Sequence, residues 1–172
     1  DDVCRLNYSY SSKFRGSGFD GFTSDLVRLN FDRVVKIPDE FDSHVSAFIE
    51  LMTVAYQGIS KFNEIAITPK DILGVWGDGN LGFITALFLK EKFPDSIVFI
   101  FGKHLENLNL FSFVDGIYQI HNVPDDLAID HAFECLGSSA SQSAIEQIID
   151  LINPQETINL FGVSEYHIPV NT

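Results

Sequence analysis

The chain has 172 residues, 45% hydrophobic and 20% charged, which suits a folded chain with one sizeable core and excludes a disordered one. Eleven Lys and Arg against 24 Asp and Glu give a net charge of −13, so the general field repels nucleic acid and anionic membrane. Any anionic ligand must then be held by local features that beat that field.

No apolar run reaches the roughly 18 residues of a membrane span, and no secretory signal peptide is expected. Cys4 and Cys135 lie far apart and make no metal or redox spacing, so the expected compartment is a reducing cytoplasm. The chain begins Asp1-Asp2 and reads as a piece of something longer.

Residues 1–18 read as an irregular start. Leu26, Val27, Leu29 and then Val34, Val35, Ile37 read as short strands broken by Asn30-Phe31-Asp32, the tail of a β-rich unit. Asp42 or Ser43 is a fit N-cap for a long helix running to about Phe62, with Val45, Phe48, Ile49, Met52, Tyr56 and Ile59 at helical spacing. A connector over 63–71 follows, and then strands and helices alternate. The strands are Ile72–Trp76, Ile97–Phe101, Gly116–Ile120, Asp130–Cys135 and Thr157–Phe161. The helices are Asn80–Lys92, Glu106–Phe113 and a segment marked by Ala144, Ile145, Ile148, Ile149 and Ile152. Such alternation predicts an α/β fold with a doubly wound parallel sheet, the Rossmann arrangement, whose ligands lie outside the carboxyl ends of the strands.

One of those ends carries Gly77-Asp78-Gly79-Asn80-Leu81-Gly82 between an apolar strand and a helix. Strand, G-x-G-x-x-G, helix is the dinucleotide-binding pattern. Gly77 turns the chain, Gly79 admits a pyrophosphate close to backbone, and Gly82 lets the helix pack tightly. N–H groups near Asn80 and Leu81 then face the phosphates at the positive end of the helix dipole. The plainer alternative is a tight turn and nothing more. Asp78 argues against a cofactor, since it places a negative side chain inside this loop and is harmless there only if it points to solvent.

An NAD site usually has Asp or Glu at the end of the second strand for the ribose 2′-hydroxyl. Here that place is Gly102, followed by Lys103 and His104. The missing carboxylate and the adjacent cation favour NADP(H), and Gly102→Asp is expected to turn preference towards NADH. The alternative is that Lys103 and His104 only start a solvated helix.

The stretches Gly18-Phe19-Asp20-Gly21-Phe22, Ile49-Glu50-Leu51-Met52-Thr53-Val54, Trp76-Gly77-Asp78-Gly79-Asn80-Leu81-Gly82, Asp130-His131-Ala132-Phe133-Glu134-Cys135 and Gly162-Val163-Ser164-Glu165-Tyr166 occur in the order of the medium-chain zinc-dependent dehydrogenases. Within that family the chain resembles the ribulose-5-phosphate reductases (ribitol-5-phosphate dehydrogenases) of teichoic-acid and cell-wall synthesis. The resemblance implies that NADPH reduces D-ribulose 5-phosphate to D-ribitol 5-phosphate, with zinc polarising the carbonyl in the full-length enzyme. It implies that Glu50 lies in or beside the zinc shell, although by its own context Glu50 reads as a solvated helix residue. It implies that Thr53 and Val54 lie behind the nicotinamide, Cys135 and Leu136 under the cofactor ribose, and Phe161, Gly162 and Val163 at the carboxamide.

The family's first zinc ligands have no counterpart here, nor has its sixth strand. The resemblance therefore implies a central fragment, with residues 1–50 the tail of a GroES-like catalytic domain and 51–172 the cofactor domain. Such a fragment is expected to be inactive alone and to hold no zinc. A homodimer through the open sheet edge and a cytidylyltransferase of the same pathway are implied partners. Another polyol or sugar dehydrogenase, or a non-catalytic NAD(P)-binding module, remains an alternative.

Overall fold

The computed structural model describes residues 14–16, 18–137, 139–162 and 168. The chain divides into two units between Phe41 and Asp42.

In the first unit, β1 (Phe14–Arg15) and β2 (Gly18–Phe19) form a two-residue ladder. The strands expected at 26–29 and 34–37 are not there: over 20–41 the only regular element is a 3-10 turn, Phe31–Arg33. Leu26 and Val35 are about nine-tenths exposed. An apolar run becomes a strand only when a neighbour takes its N–H and C=O groups, and none does so here among the described residues.

The second unit opens with α1 (Ser43–Ser46), capped by Asp42, whose Oδ1 accepts from the N–H groups of His44 at 2.7 Å and Val45 at 3.2 Å. The single long helix of the sequence reading is in fact two, since the chain breaks at Ala47-Phe48 before α2 (Ile49–Ile65). The face of α2 that is buried carries Ala55, Ile59 and Phe62, while Val45, Phe48 and Tyr56 of the expected stripe are exposed.

Five strands follow: β3 (Ile72–Trp76), β4 (Ile97–Gly102), β5 (Gly116–Gln119), β6 (His131–Glu134) and β7 (Ile158–Leu160). Helices α3 (Asn80–Lys92), α4 (Leu105–Leu108) and α5 (Ala140–Leu151) follow β3, β4 and β6, while β5 runs to β6 without a helix. The helix expected over 106–113 is only this one turn. All pairings are parallel, in the order β5-β4-β3-β6-β7. The order reverses beside β3, which is where a doubly wound sheet opens its crevice.

Strand alternation sends side chains to two cores. Leu73, Val75, Val98, Ile100 and Phe133 pack with Ile59 and Phe62 of α2 and Ala86 and Leu89 of α3. Trp76, Phe101, Ile129 and Ala132 pack with Ala144 and Ile148 of α5. In register across three strands, Trp76 stacks on Phe101 at 4.0 Å between centroids, and Phe101 on Tyr118 at 5.4 Å. No helix among the described residues is long and apolar enough to cross a membrane.

At the amino ends of the strands, side-chain carboxylates hold the ladder. Asp130 Oδ2 accepts from Asp71 N at 3.1 Å and Ile72 N at 2.8 Å. Asp115 Oδ2 accepts from Val98 N at 2.8 Å and Lys90 Nζ at 3.0 Å. Burial alone would raise the Asp115 carboxyl, but the Val98 N–H and Lys90 outweigh it and leave it below the usual carboxylate range.

His131 is fully buried at the start of β6. Its Nδ1 accepts from Thr157 N at 3.1 Å, which requires that nitrogen unprotonated, and Nε2–H donates to Pro69 O at 3.0 Å. Nδ1 also lies 3.3 Å from Glu156 Oε2, but that carboxylate already accepts from the Thr68 hydroxyl, and the neutral imidazole fits the geometry better than an ion pair. Burial pushes the imidazole pKa down despite the pull of Glu156 upward. The native state thus resists a proton that the unfolded chain accepts near pH 6.5, so stability is complete above that pH and declines as pH falls through it. In urea denaturation, the parent is expected to lose up to about 1.4 kcal/mol per pH unit from this group below pH 6.5. His131→Gln, which keeps a donor and an acceptor, should flatten the dependence; identical pH profiles would contradict the assignment.

Candidate functional site

The carboxyl ends of β3, β4 and β6 meet at the glycine-rich turn, and that of β7 lies against the end of β6. Gly77 has φ +135°, a conformation L side chains rarely adopt, and its N–H donates to Phe101 O at 2.8 Å. A Cβ on Gly82 would lie 1.9 Å from Gly77 O, so α3 presses directly against the turn. A Cβ on Gly79 would meet nothing within 4 Å. That open space faces the first turn of α3, whose N-cap, Gly79, has no side chain to close the leading N–H groups.

Beside the turn lies a pocket of about 500 Å³. One wall is the Trp76–Phe101 stack, tied to α5 because Trp76 Nε1–H donates to Gln147 Oε1 at 2.9 Å. Gln147 Nε2 in turn donates to Ile120 O at 2.8 Å. The mouth carries Asp78, Gly102, Lys103 and His104, and Leu136 lines the far side.

Asp78 does not meet the condition of pointing to solvent. Its side chain is 12% exposed, and Oδ2 accepts from Lys103 N at 2.9 Å and His104 N at 2.6 Å. His104 Nδ1 lies 3.2 Å from the same oxygen. The reason is that the β4–α4 turn offers backbone donors that precede the first turn of α4 and have no partner within the helix. Gly102 is correspondingly constrained, because a Cβ there would lie 2.6 Å from Asp78 Cβ and 2.8 Å from Leu108 Cδ2. Gly102→Asp would displace the Asp78 contact as well as add a charge, so it no longer offers a clean exchange of cofactor preference.

Glu134 went unremarked in the sequence as a site residue. It is 1% exposed at the end of β6, and its carboxylate accepts three hydrogen bonds. Oε1 takes Leu136 N at 2.9 Å and Ser141 Oγ at 3.0 Å, and Oε2 takes Gly162 N at 3.0 Å. Gly162 fits only because it lacks a side chain; its Cβ would lie 2.5 Å from Glu134 Oε2. A glutamate before Cys-Leu-Gly, among strand residues otherwise apolar, was the signal available.

Other sequence-predicted residues fall elsewhere. Cys135 lies against Gly77, and its thiol is 3.6 Å from Thr85 Oγ1. The residue is half-buried but the sulfur is enclosed, and burial pushes the thiol up to about 12, so it is no nucleophile at neutral pH. The Phe161 ring stacks with Phe133 and lies on α2, where a Cβ on Gly58 would meet it at 2.1 Å. On the first turns of α2, Thr53 Oγ1 donates to Glu50 O at 2.6 Å, and both residues are exposed; Val54 is also exposed. Among the described residues no three His, Cys, Asp or Glu group to hold a metal, so the donors around Glu50 do not fit a zinc. Cys4, Ser138, Val163 and Ser164 lie outside the described residues.

This strand order with this turn defines a Rossmann-type α/β fold. The chain is closely related to the ribulose-5-phosphate reductases of the medium-chain dehydrogenase/reductase family. It is 52% identical over 171 residues to a ribulose-5-phosphate reductase of Bacillus spizizenii, covering 99% of this chain and 50% of that protein. It is 49% identical over 172 residues to ribulose-5-phosphate reductase 1 of Staphylococcus aureus, covering 100% and 50%. The crystal structure of S. aureus TarJ in complex with NADPH superposes with a TM-score of 0.80 at 47% identity, covering 88% of this chain and 48% of that one. The chain thus spans about half the length of the curated relatives it matches. No protein-family model matches it.

The Glu134 clamp has a measurable weight. Glu134→Ala leaves two N–H groups and a hydroxyl without their acceptor, and the expected loss is about 2–4 kcal/mol of unfolding free energy. Glu134→Gln keeps an acceptor at each position bar one and should lose less than half as much. Equal denaturation midpoints for the alanine variant and the parent would contradict the clamp.

Proposed function

We propose that this chain is the NADPH-binding core of a reductase that converts D-ribulose 5-phosphate to D-ribitol 5-phosphate. The observation that carries the reading is the mouth of the crevice: position 102 has no side chain, and Lys103 and His104 stand beside it. Relatedness to ribulose-5-phosphate reductases, one of them crystallised with NADPH, supports it. In the same reading, residues 1–50 are the tail of a GroES-like catalytic domain and 51–172 the cofactor domain. The outer edge of β7, last in the sheet among the described residues, is where a second copy would pair.

The open cradle at Gly79 and the uncapped start of α3 fit a pyrophosphate. The pocket walled by Trp76 and Leu136 fits the adenosine half. Lys103 supplies a cation for a 2′-phosphate, and the His104 ring stands beside it. When bound, NADPH supplies the hydride that, with one proton, turns the ketone into a secondary alcohol. The protein's part in this unit is positional. Glu134 joins the ends of β6 and β7 and fixes the backbone at Leu136 and Gly162, so the far wall of the crevice is set before a ligand arrives.

Fluorescence titration with NADPH and NADH tests the reading. The parent should prefer NADPH. Lys103→Ala should weaken NADPH by about 10- to 150-fold, the loss of one charge-assisted contact of roughly 1.5–3 kcal/mol, and leave NADH nearly unchanged. A parent that prefers NADH, or a variant that keeps the parent's ratio, would overturn it.

A further inference from the structure

Asp78 is an odd residue to find at the mouth of a phosphate site. A carboxylate there opposes an anionic ligand, and at about 4 Å two unit charges still interact by roughly 4 kcal/mol at an effective dielectric near 20. Its geometry gives it another task. It belongs to the turn after β3, yet its Oδ2 takes both N–H groups of the turn after β4, at Lys103 and His104, and the His104 ring as well. Its Cβ stands where a side chain on residue 102 would begin. The carboxylate therefore ties the two turns that form the mouth, from inside, and is 12% exposed.

We infer that Asp78 is a positioning residue for 2′-phosphate recognition: it holds the 103–104 backbone so that the Lys103 and His104 side chains, not their N–H groups, meet the phosphate. The inference rests on the NADPH reading above. Two N–H groups at the mouth are already spent on Asp78, so discrimination between NADPH and NADH falls to the two side chains. Their placement depends on a single oxygen.

The two roles open to Asp78 have opposite signs. A carboxylate acting only as a charge would weaken NADPH, so removing it would strengthen NADPH binding. A carboxylate acting as a tether would do the reverse. Asp78→Ala is expected to weaken NADPH by about tenfold or more while moving NADH by less than about threefold. Asp78→Asn keeps an acceptor oxygen without the charge and should hold NADPH within about threefold of the parent. Hydrogen exchange without cofactor reads the tether directly. The Lys103 and His104 amides should be protected in the parent and in Asp78→Asn, and released in Asp78→Ala. An alanine variant that keeps or strengthens NADPH binding, or leaves those two amides as protected as before, overturns the inference and leaves the NADPH reading intact. A parent that binds both cofactors equally, with the amides still released in the alanine variant, overturns the NADPH reading and with it the role assigned to the tether.

Discussion

A parallel sheet ends in backbone N–H groups that no neighbouring strand takes, and in this chain carboxylates take them. Asp130 accepts from Asp71 and Ile72, Asp115 from Val98, Asp78 from Lys103 and His104, and Glu134 from Leu136 and Gly162. The first two close the amino ends of the strands. The other two close the carboxyl ends, where the crevice lies. A buried N–H without a partner costs about 1–3 kcal/mol, and this bears on the part-buried donors at Ile72, Val98, Leu136 and Gly162; the Lys103 and His104 donors are exposed, and there Asp78 acts by fixing the turn. This also changes how the net charge of −13 is to be understood. Several of its carboxylates are committed to backbone donors, and at the mouth the charge of Asp78 remains, so Lys103 and the start of α3 have to outweigh it for an anion to bind there.

Glycine and carboxylate work as pairs in this arrangement. Gly102 makes room for Asp78, and Gly162 for Glu134. In each case the carboxylate reaches across from a neighbouring strand end to a turn whose own residue has no side chain. The crevice is therefore shaped from within the sheet. The Trp76–Phe101–Tyr118 stack adds a rigid wall, since flat rings in register on three adjacent strands fill the α5 side of the sheet and are pinned through Gln147.

Elements with strong punctuation were legible in the sequence. Ile72–Trp76 and Asn80–Lys92 have the bounds read from the apolar run, the glycines and Pro94, and the parallel α/β class followed from the alternation. The face of α2 was not legible, because Ala55 carries no strong hydrophobic signal and no glycine or proline marks the break at Ala47-Phe48. The runs at 26–29 and 34–37 have strand composition, but composition does not supply a partner. At the site, the glycine-rich turn and the bare position 102 were visible, as was the presence of each acid. Its direction was not. Asp78 and Glu134 act on residues 25 and 28 positions away, and such contacts exist only once the sheet is assembled.

The central claim is a mouth preformed by Asp78 and read out by Lys103 and His104. A crystal structure of the chain with NADPH tests it most directly. The expected result has the 2′-phosphate within hydrogen-bond distance of the Lys103 and His104 side chains. Asp78 Oδ2 should still be on both backbone N–H groups, and the 102–104 backbone should have moved by less than about 1 Å. A nucleotide whose 2′-phosphate lies away from both side chains, or an Asp78 that has released the turn to let the phosphate take its N–H groups, would contradict the account.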